Sequence, residues 1–206
     1  MGIKTEKEII NQEIAKRLMA VKAQTRGINM KNGATFIVKE EGPEGVKKME
    51  KALKELGFPL KFDKVRSMDF YPAGYLPVFF LLTKKLFGWD DQKIRELCGF
   101  AVSASLVVRI YMKFFHSVEK MIKKAPEIWR EYFTAGELEF LEHNFKEKYS
   151  LVEVRNFDLD KSFCVCMEGF LENITKLTIN SKEVHCREIA CTFDHYSSHK
   201  FLIKWQ

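Results

Sequence analysis

The sequence has no long hydrophobic run. Its greasiest stretch, Tyr75 to Thr83, is far shorter than the roughly 20 apolar residues a helix needs to span a bilayer. It also lacks a signal core, because Met1 to Ala20 is charged throughout, and a cytoplasmic location is expected. There is no Gly-rich phosphate loop, no Gly-x-Ser-x-Gly elbow, no His-Glu-x-x-His, and no flavin or nicotinamide motif. Those absences argue against an enzyme. Excess charge is small: 34 basic against 28 acidic residues, a net +6 spread along the chain, with no dense basic stripe. Nucleic acid is therefore not an expected partner. Cysteine is scarce, and the count of five is odd, which argues against a secreted disulfide framework. Repeats, low-complexity tracts and linkers fit for a domain boundary are missing.

What is present is a globular composition. The chain has 206 residues and is 46% hydrophobic, enough for one large core, and 18 phenylalanines supply an aromatic interior. Thr5 to Lys22 has an amphipathic helical pattern, with Ile9, Ile10, Ile14, Leu18 and Val21 on one face. Gly27 and Asn29 to Gly33 suggest a break. Pro43 sits where a helix would start and Gly57 where it would end. Helices are expected over Leu76–Phe87, from Asp91 through Phe115 with Asp90 as its cap, over Ser117–Lys124 and over Pro126–Phe133. The pattern then alternates. Glu137–His143 with Tyr149–Asp158, and Glu183–Phe193 with His199–Trp205, read as two hairpins on either side of a helix from Lys161 to about Leu177. The fold class is α+β, a twisted antiparallel sheet of about four strands with a mostly helical N-terminal half. Residues 1–30 are taken as an amphipathic extension and 31–206 as a single ligand-binding domain.

The closing third carries the sharpest pattern. Cys164 and Cys166 precede Glu188, Cys191 and His199, in the spacing Glu-x-x-Cys-x7-His. Thiolate, imidazole and carboxylate are the donors of a four-coordinate zinc ion, so convergence of these side chains would make a metal site. One obstacle is parity. Glu188 and Cys191 would face opposite sides of a regular strand, and both can reach one ion only at a bulge or a strand end.

Cys164-x4-Gly169-Phe170 followed by Glu188-x2-Cys191-x7-His199-x-Phe201 resembles the signature of the 4-vinyl reductase-type small-molecule-binding domain. That superfamily includes heme-NO-binding sensors and Golgi transport (TRAPP) subunits. The motif covers about residues 160–206, and the helical half matches only in general order, through Leu76-Pro77, Ser103–Leu106, Pro126 and Trp129. The resemblance implies a structural zinc held by Cys164, Glu188, Cys191 and His199, with Cys166 as the competing first ligand. His199 stands where the family has Cys, and His195 where a loop Gly is usual. It also implies a pocket between helices and sheet for a small hydrophobic or aromatic ligand, with Phe79, Phe80, Leu82, Val107, Ile110, Phe114 and Phe170 as its wall. Heme is not expected. The Tyr-x-Ser-x-Arg anchor of the heme-NO sensors is missing, and His116 reads as a surface or hydrogen-bonded residue. Cys98 and Cys186 read as core.

The function expected from the residues and the resemblance is a sensor or carrier domain that passes ligand binding to a second copy or a separate signalling partner. The N-terminal helix is the candidate contact. The alternatives are a tetrapyrrole-related accessory enzyme or heme-binding gas sensor, and a TRAPP-like interaction subunit.

Overall fold

The computed structural model describes residues 9–104, 118–179, 181 and 183–206. Helix α1, Gln12–Met19, begins where the Asn11 side chain accepts the Ile14 amide, later than the periodicity suggested. It buries Ala15 and Leu18, and Ile10 just ahead of it is fully buried. Strand β1, Gln24–Arg26, pairs antiparallel with β2, Phe70–Pro72, in a small sheet that the sequence did not suggest. Helix α2, Gly27–Glu55, runs through the region read as a break. Gly33 is tolerated there because it packs against the Phe79 ring. The helix kinks at Gly42, whose φ of 72° lies in the left-handed region. Pro43 has no N–H to continue the first segment and opens the second one instead.

Helix α3, Tyr75–Phe87, is buried on most sides, as an almost wholly apolar sequence demands. Helix α4, Asp91–Ala104, is capped by Asp90, whose carboxylate accepts the Lys93 amide at 2.8 Å. The expected continuation to Phe115 lies outside the described residues. Helix α5, Val118–Tyr132, is continuous across Pro126, where two helices were expected.

Strands β3 (Glu137–Asn144), β4 (Tyr149–Arg155), β5 (Val184–Ala190) and β6 (His199–Trp205) form one antiparallel sheet in the order β3-β4-β6-β5. Helix α6, Lys161–Ile179, crosses between the two hairpins and packs on α4, α3 and β5. Its Phe163, Met167 and Leu171 join Val152, Val154, Phe201 and Ile203 of the sheet in the core. This is the expected α+β architecture, with a helical first half and a four-stranded antiparallel sheet.

Helices α4 and α6 cross closely. Gly169 faces the Arg95 backbone, and a Cβ there would collide with the Arg95 carbonyl. Arg95 also donates to Glu168, to Glu172 at 3.0 Å and to the Cys186 carbonyl at 3.0 Å, tying α4, α6 and β5 together. Helix propensity alone would favour alanine at position 169 by about 0.8–1 kcal/mol. Overpacking against backbone costs about 1–3 kcal/mol and should win. Gly169→Ala should therefore lower the urea midpoint with the slope unchanged; an unchanged or raised midpoint would show that the crossing is not this tight.

Candidate ligand chamber and donor cluster

Two features meet on α6. The first is a hollow of about 200 Å³ between α2, α3, α4, α5, β3 and α6. Its described wall is almost wholly apolar and includes Met30, Gly33, Leu76, Phe79, Phe80, Leu97, Ala101, Ile128, Trp129, Phe133, Leu138, Phe163 and Phe170. Asn29, Asn32 and Tyr132 are its polar members. Trp129, Phe133, Phe157 and Phe163 form an aromatic cluster at one end, with ring centroids 4.5–6.0 Å apart. Trp129 donates its ring N–H to the Ala135 carbonyl at 3.0 Å, which fixes the ring.

Of the pocket residues expected from the resemblance, Phe79, Phe80 and Phe170 line this hollow. Leu82 is buried but is not part of the wall. Val107, Ile110 and Phe114 lie outside the described residues. The contribution of α2 was missed because Gly33 read as a helix breaker. Its small size is what lets α2 approach Phe79, so helical spacing through Met30 and Gly33 was the available signal.

The second feature is a cluster of donors on the far side of α6. Sγ of Cys164, a carboxylate oxygen of Glu188, Sγ of Cys191 and a ring nitrogen of His199 all lie within 4.8 Å of one another. Each comes from a different local structure. Cys164 is in the first turn of α6, Glu188 is near the end of β5, Cys191 follows that strand, and His199 opens β6. The parity obstacle is removed by a bulge: Glu188 pairs with Phe201 but Ala190 pairs with Lys200, so the register slips at Ile189. Thr192–Asp194 then makes a 3-10 turn, and His195 closes it with φ of 70°. That left-handed position is one glycine favours, and His195 adopts it while staying exposed and away from the donors.

The two thiols are 3.9 Å apart, and Cys164 Sγ is 3.6 Å from His199 Nδ1. His199 Nδ1 is 2.8 Å from Glu188, and its Nε2 is 3.2 Å from Asp158 and 3.0 Å from the Thr192 hydroxyl. Thr192 also donates to Asp158 at 2.6 Å. Asp158 and Thr192, which the sequence did not single out, thus orient the imidazole from behind, as outer partners of a ligand histidine do. Burial pushes the Cys164 thiol well up from its ordinary value, and Glu188 and Cys191 push the same way. Burial raises the Cys191 thiol too. At His199 burial opposes the charged ring, but hydrogen bonds to Glu188 and Asp158 outweigh it and raise its pKa. Protons therefore compete with any cation for these atoms.

Cys166 is not in the cluster. It forms a disulfide with Cys98 across the α4–α6 crossing, which corrects the reading of Cys98 as simple core. Cys186 is buried and free.

Neither a protein-family profile nor a curated protein matches the sequence. Solved structures do share its fold. An H-NOX protein from S. oneidensis in the Fe(II) ligation state, a triple mutant, superposes with a TM-score of 0.67 at 11% identity, covering 88% of this chain and 96% of that one. The S. oneidensis H-NOX protein in the Fe(II)NO state gives 0.65 at 12%, over 88% and 99%. An oxygen-binding H-NOX domain related to soluble guanylate cyclases gives 0.61 at 13%, over 88% and 95%. The chain shares the fold of these H-NOX structures, and the likenesses do not extend to the 4-vinyl reductase-type label. They also overturn the cofactor expectation of zinc with heme set aside. The matched structures are characterised by iron ligation state and by heme and porphyrin distortion, not by zinc.

The described wall suits the apolar faces of a flat macrocycle. It offers no histidine and no lysine or arginine. Of the five histidines, His143 stacks on Trp205, His185 and His195 are exposed, and His199 belongs to the donor cluster. His116 lies outside the described residues.

Proposed function

We propose that this chain is a non-catalytic, ligand-sensing domain of the heme-NO-binding type, and that its chamber takes a flat, hydrophobic group, with heme the first candidate. The observation that carries the reading is an apolar hollow between the helical layer and the sheet, in a fold shared with heme-holding structures. Heme, when bound, would supply an iron that takes a diatomic gas. The chain's own part is to exclude water with the Phe79, Phe80, Phe133 and Phe170 rings and to clamp the group between α2 and α6. His116 is the remaining imidazole in the sequence and is proposed as the axial ligand. Titration of the purified full chain with hemin tests this. One equivalent should give a sharp Soret band that shifts on reduction and again on adding nitric oxide, and His116→Ala should lose that band. Unsaturable binding, with a spectrum indifferent to His116, would overturn the heme assignment; native mass spectrometry would then give the mass of any other occupant.

From the donor set alone, and without assigning the ion, we further propose that Cys164, Glu188, Cys191 and His199 ligate a divalent transition metal. What supports it is two thiols, an imidazole and a carboxylate converging from the start of α6 and the final hairpin, in a site too buried for bare charge. Bound metal would fasten the start of α6 to the final hairpin and add to folding stability. Cys191→Ser should abolish uptake of cobalt(II) as a spectroscopic probe and lower the melting temperature, while Cys186→Ser should leave uptake intact. Equal cobalt spectra in both variants would mean the ligand set is wrong.

A further inference from the structure

The Cys98–Cys166 pair has no part in the donor cluster. Its Cα atoms are 5.4 Å apart and it bridges positions 68 residues apart in the chain. Both residues line the hollow. The bridge belongs to the close crossing of α4 and α6: on α4, Cys98 lies between Arg95, which faces Gly169, and Gly99, which faces Asn173, while on α6 Cys166 lies three residues before Gly169. It therefore latches two walls of the chamber at their seam. Latched, the chamber measures about 200 Å³, below the roughly 300–1,000 Å³ typical of sites for drug-sized ligands.

Thiols and a disulfide also lie side by side in this protein. Cys164, Cys186 and Cys191 are free, and Cys164 stands two positions from Cys166 on the same helix. A disulfide exchanges when a thiolate reaches one of its sulfurs, so access to the bridge decides where an external thiol attacks. The two bridge sulfurs are unequally placed. Cys98 is 3% exposed, whereas Cys166 is half-buried, so an incoming thiolate meets Cys166 first.

We propose that Cys98–Cys166 is a thiol–disulfide switch in the chamber wall, and that a dithiol reductant opens the chamber by unlatching α4 from α6. This rests on the reading of the hollow as a ligand chamber. A thiolate of the reductant attacks Cys166 Sγ. The Cys98–Cys166 bond breaks, a mixed disulfide forms on Cys166, and Cys98 leaves as a thiolate and takes up a proton. The reductant's second thiol displaces Cys166 as a thiol and closes the reductant's own disulfide. Two electrons and two protons have moved from reductant to protein. Exchange with the oxidised partner reverses the sequence.

The test uses the full chain and Nile red, an uncharged hydrophobic dye. Protein purified without reductant and alkylated after denaturation should label three of its five cysteines, with Cys98 and Cys166 recovered as one linked peptide. Reduction should tighten dye binding about tenfold, within the range usual for coupled sites. By reciprocity, saturating dye should raise the midpoint potential of the pair by about 30 mV, the two-electron equivalent of tenfold. The double variant Cys98→Ser/Cys166→Ser should bind like the reduced protein and ignore reductant. Five labelled cysteines without reductant, or equal affinity in both states, would overturn the switch and leave the chamber standing. No uptake in either state would remove the chamber, and the switch with it.

Discussion

Helix α6 presents one face to α4 and the hollow and another to the sheet, and the rest of the molecule is arranged by that double contact. Phe163, Cys166 and Phe170 point toward the hollow, while Cys164 reaches the donors supplied by the last hairpin. Glu168 ties the two sides together. One of its oxygens accepts the Glu188 amide at 2.7 Å, and the other holds Arg95 from α4. A shift of α4 against α6 is thus felt at the strand that carries a cluster carboxylate. The contact is close because Gly169 admits backbone against side-chain-free surface, and partly buried charges with their hydrogen bonds filled hold it in register.

Burial gives each feature its chemistry. Around the hollow it removes polar competitors, so an apolar ligand would exchange water for ring faces. In the donor cluster it makes bare thiolates costly and raises the thiols, while His199 is raised against burial by its carboxylate partners. A cation would meet the same need as those protons. That helix α6 and the final hairpin bring four donors to one point is hard to explain as packing of small apolar cysteines alone.

Much of the fold was legible. Period-two alternation located both hairpins, and the 3.6-residue pattern located α3 and α6, because each of these elements buries one face or nearly all of its surface. Pro43 and Asp90 marked helix starts through backbone chemistry that needs no tertiary context. The small β1–β2 sheet was not legible, since three-residue strands carry no period. Gly33 misled, because packing against Phe79 overrode local propensity there, and Pro126 lies inside one helix where it read as the start of a second. In the donor cluster the Glu-x-x-Cys-x7-His spacing named three side chains that do converge, while the bulge at Ile189 that lets Glu188 and Cys191 share a side is a property of pairing, not of either strand alone. The choice between Cys164 and Cys166 turned on Cys98, 68 positions from its partner, and no local pattern could supply it. The cofactor was misjudged from a motif because the shape of a chamber is not written in any short stretch.

The central claim is that chamber and donor cluster are coupled through α6. Hydrogen exchange of the full chain with and without one equivalent of hemin tests it most directly. The account predicts slowed exchange in the helices lining the hollow and also in residues 184–199, which do not touch it. Protection confined to the helices, with 184–199 unchanged, would contradict it.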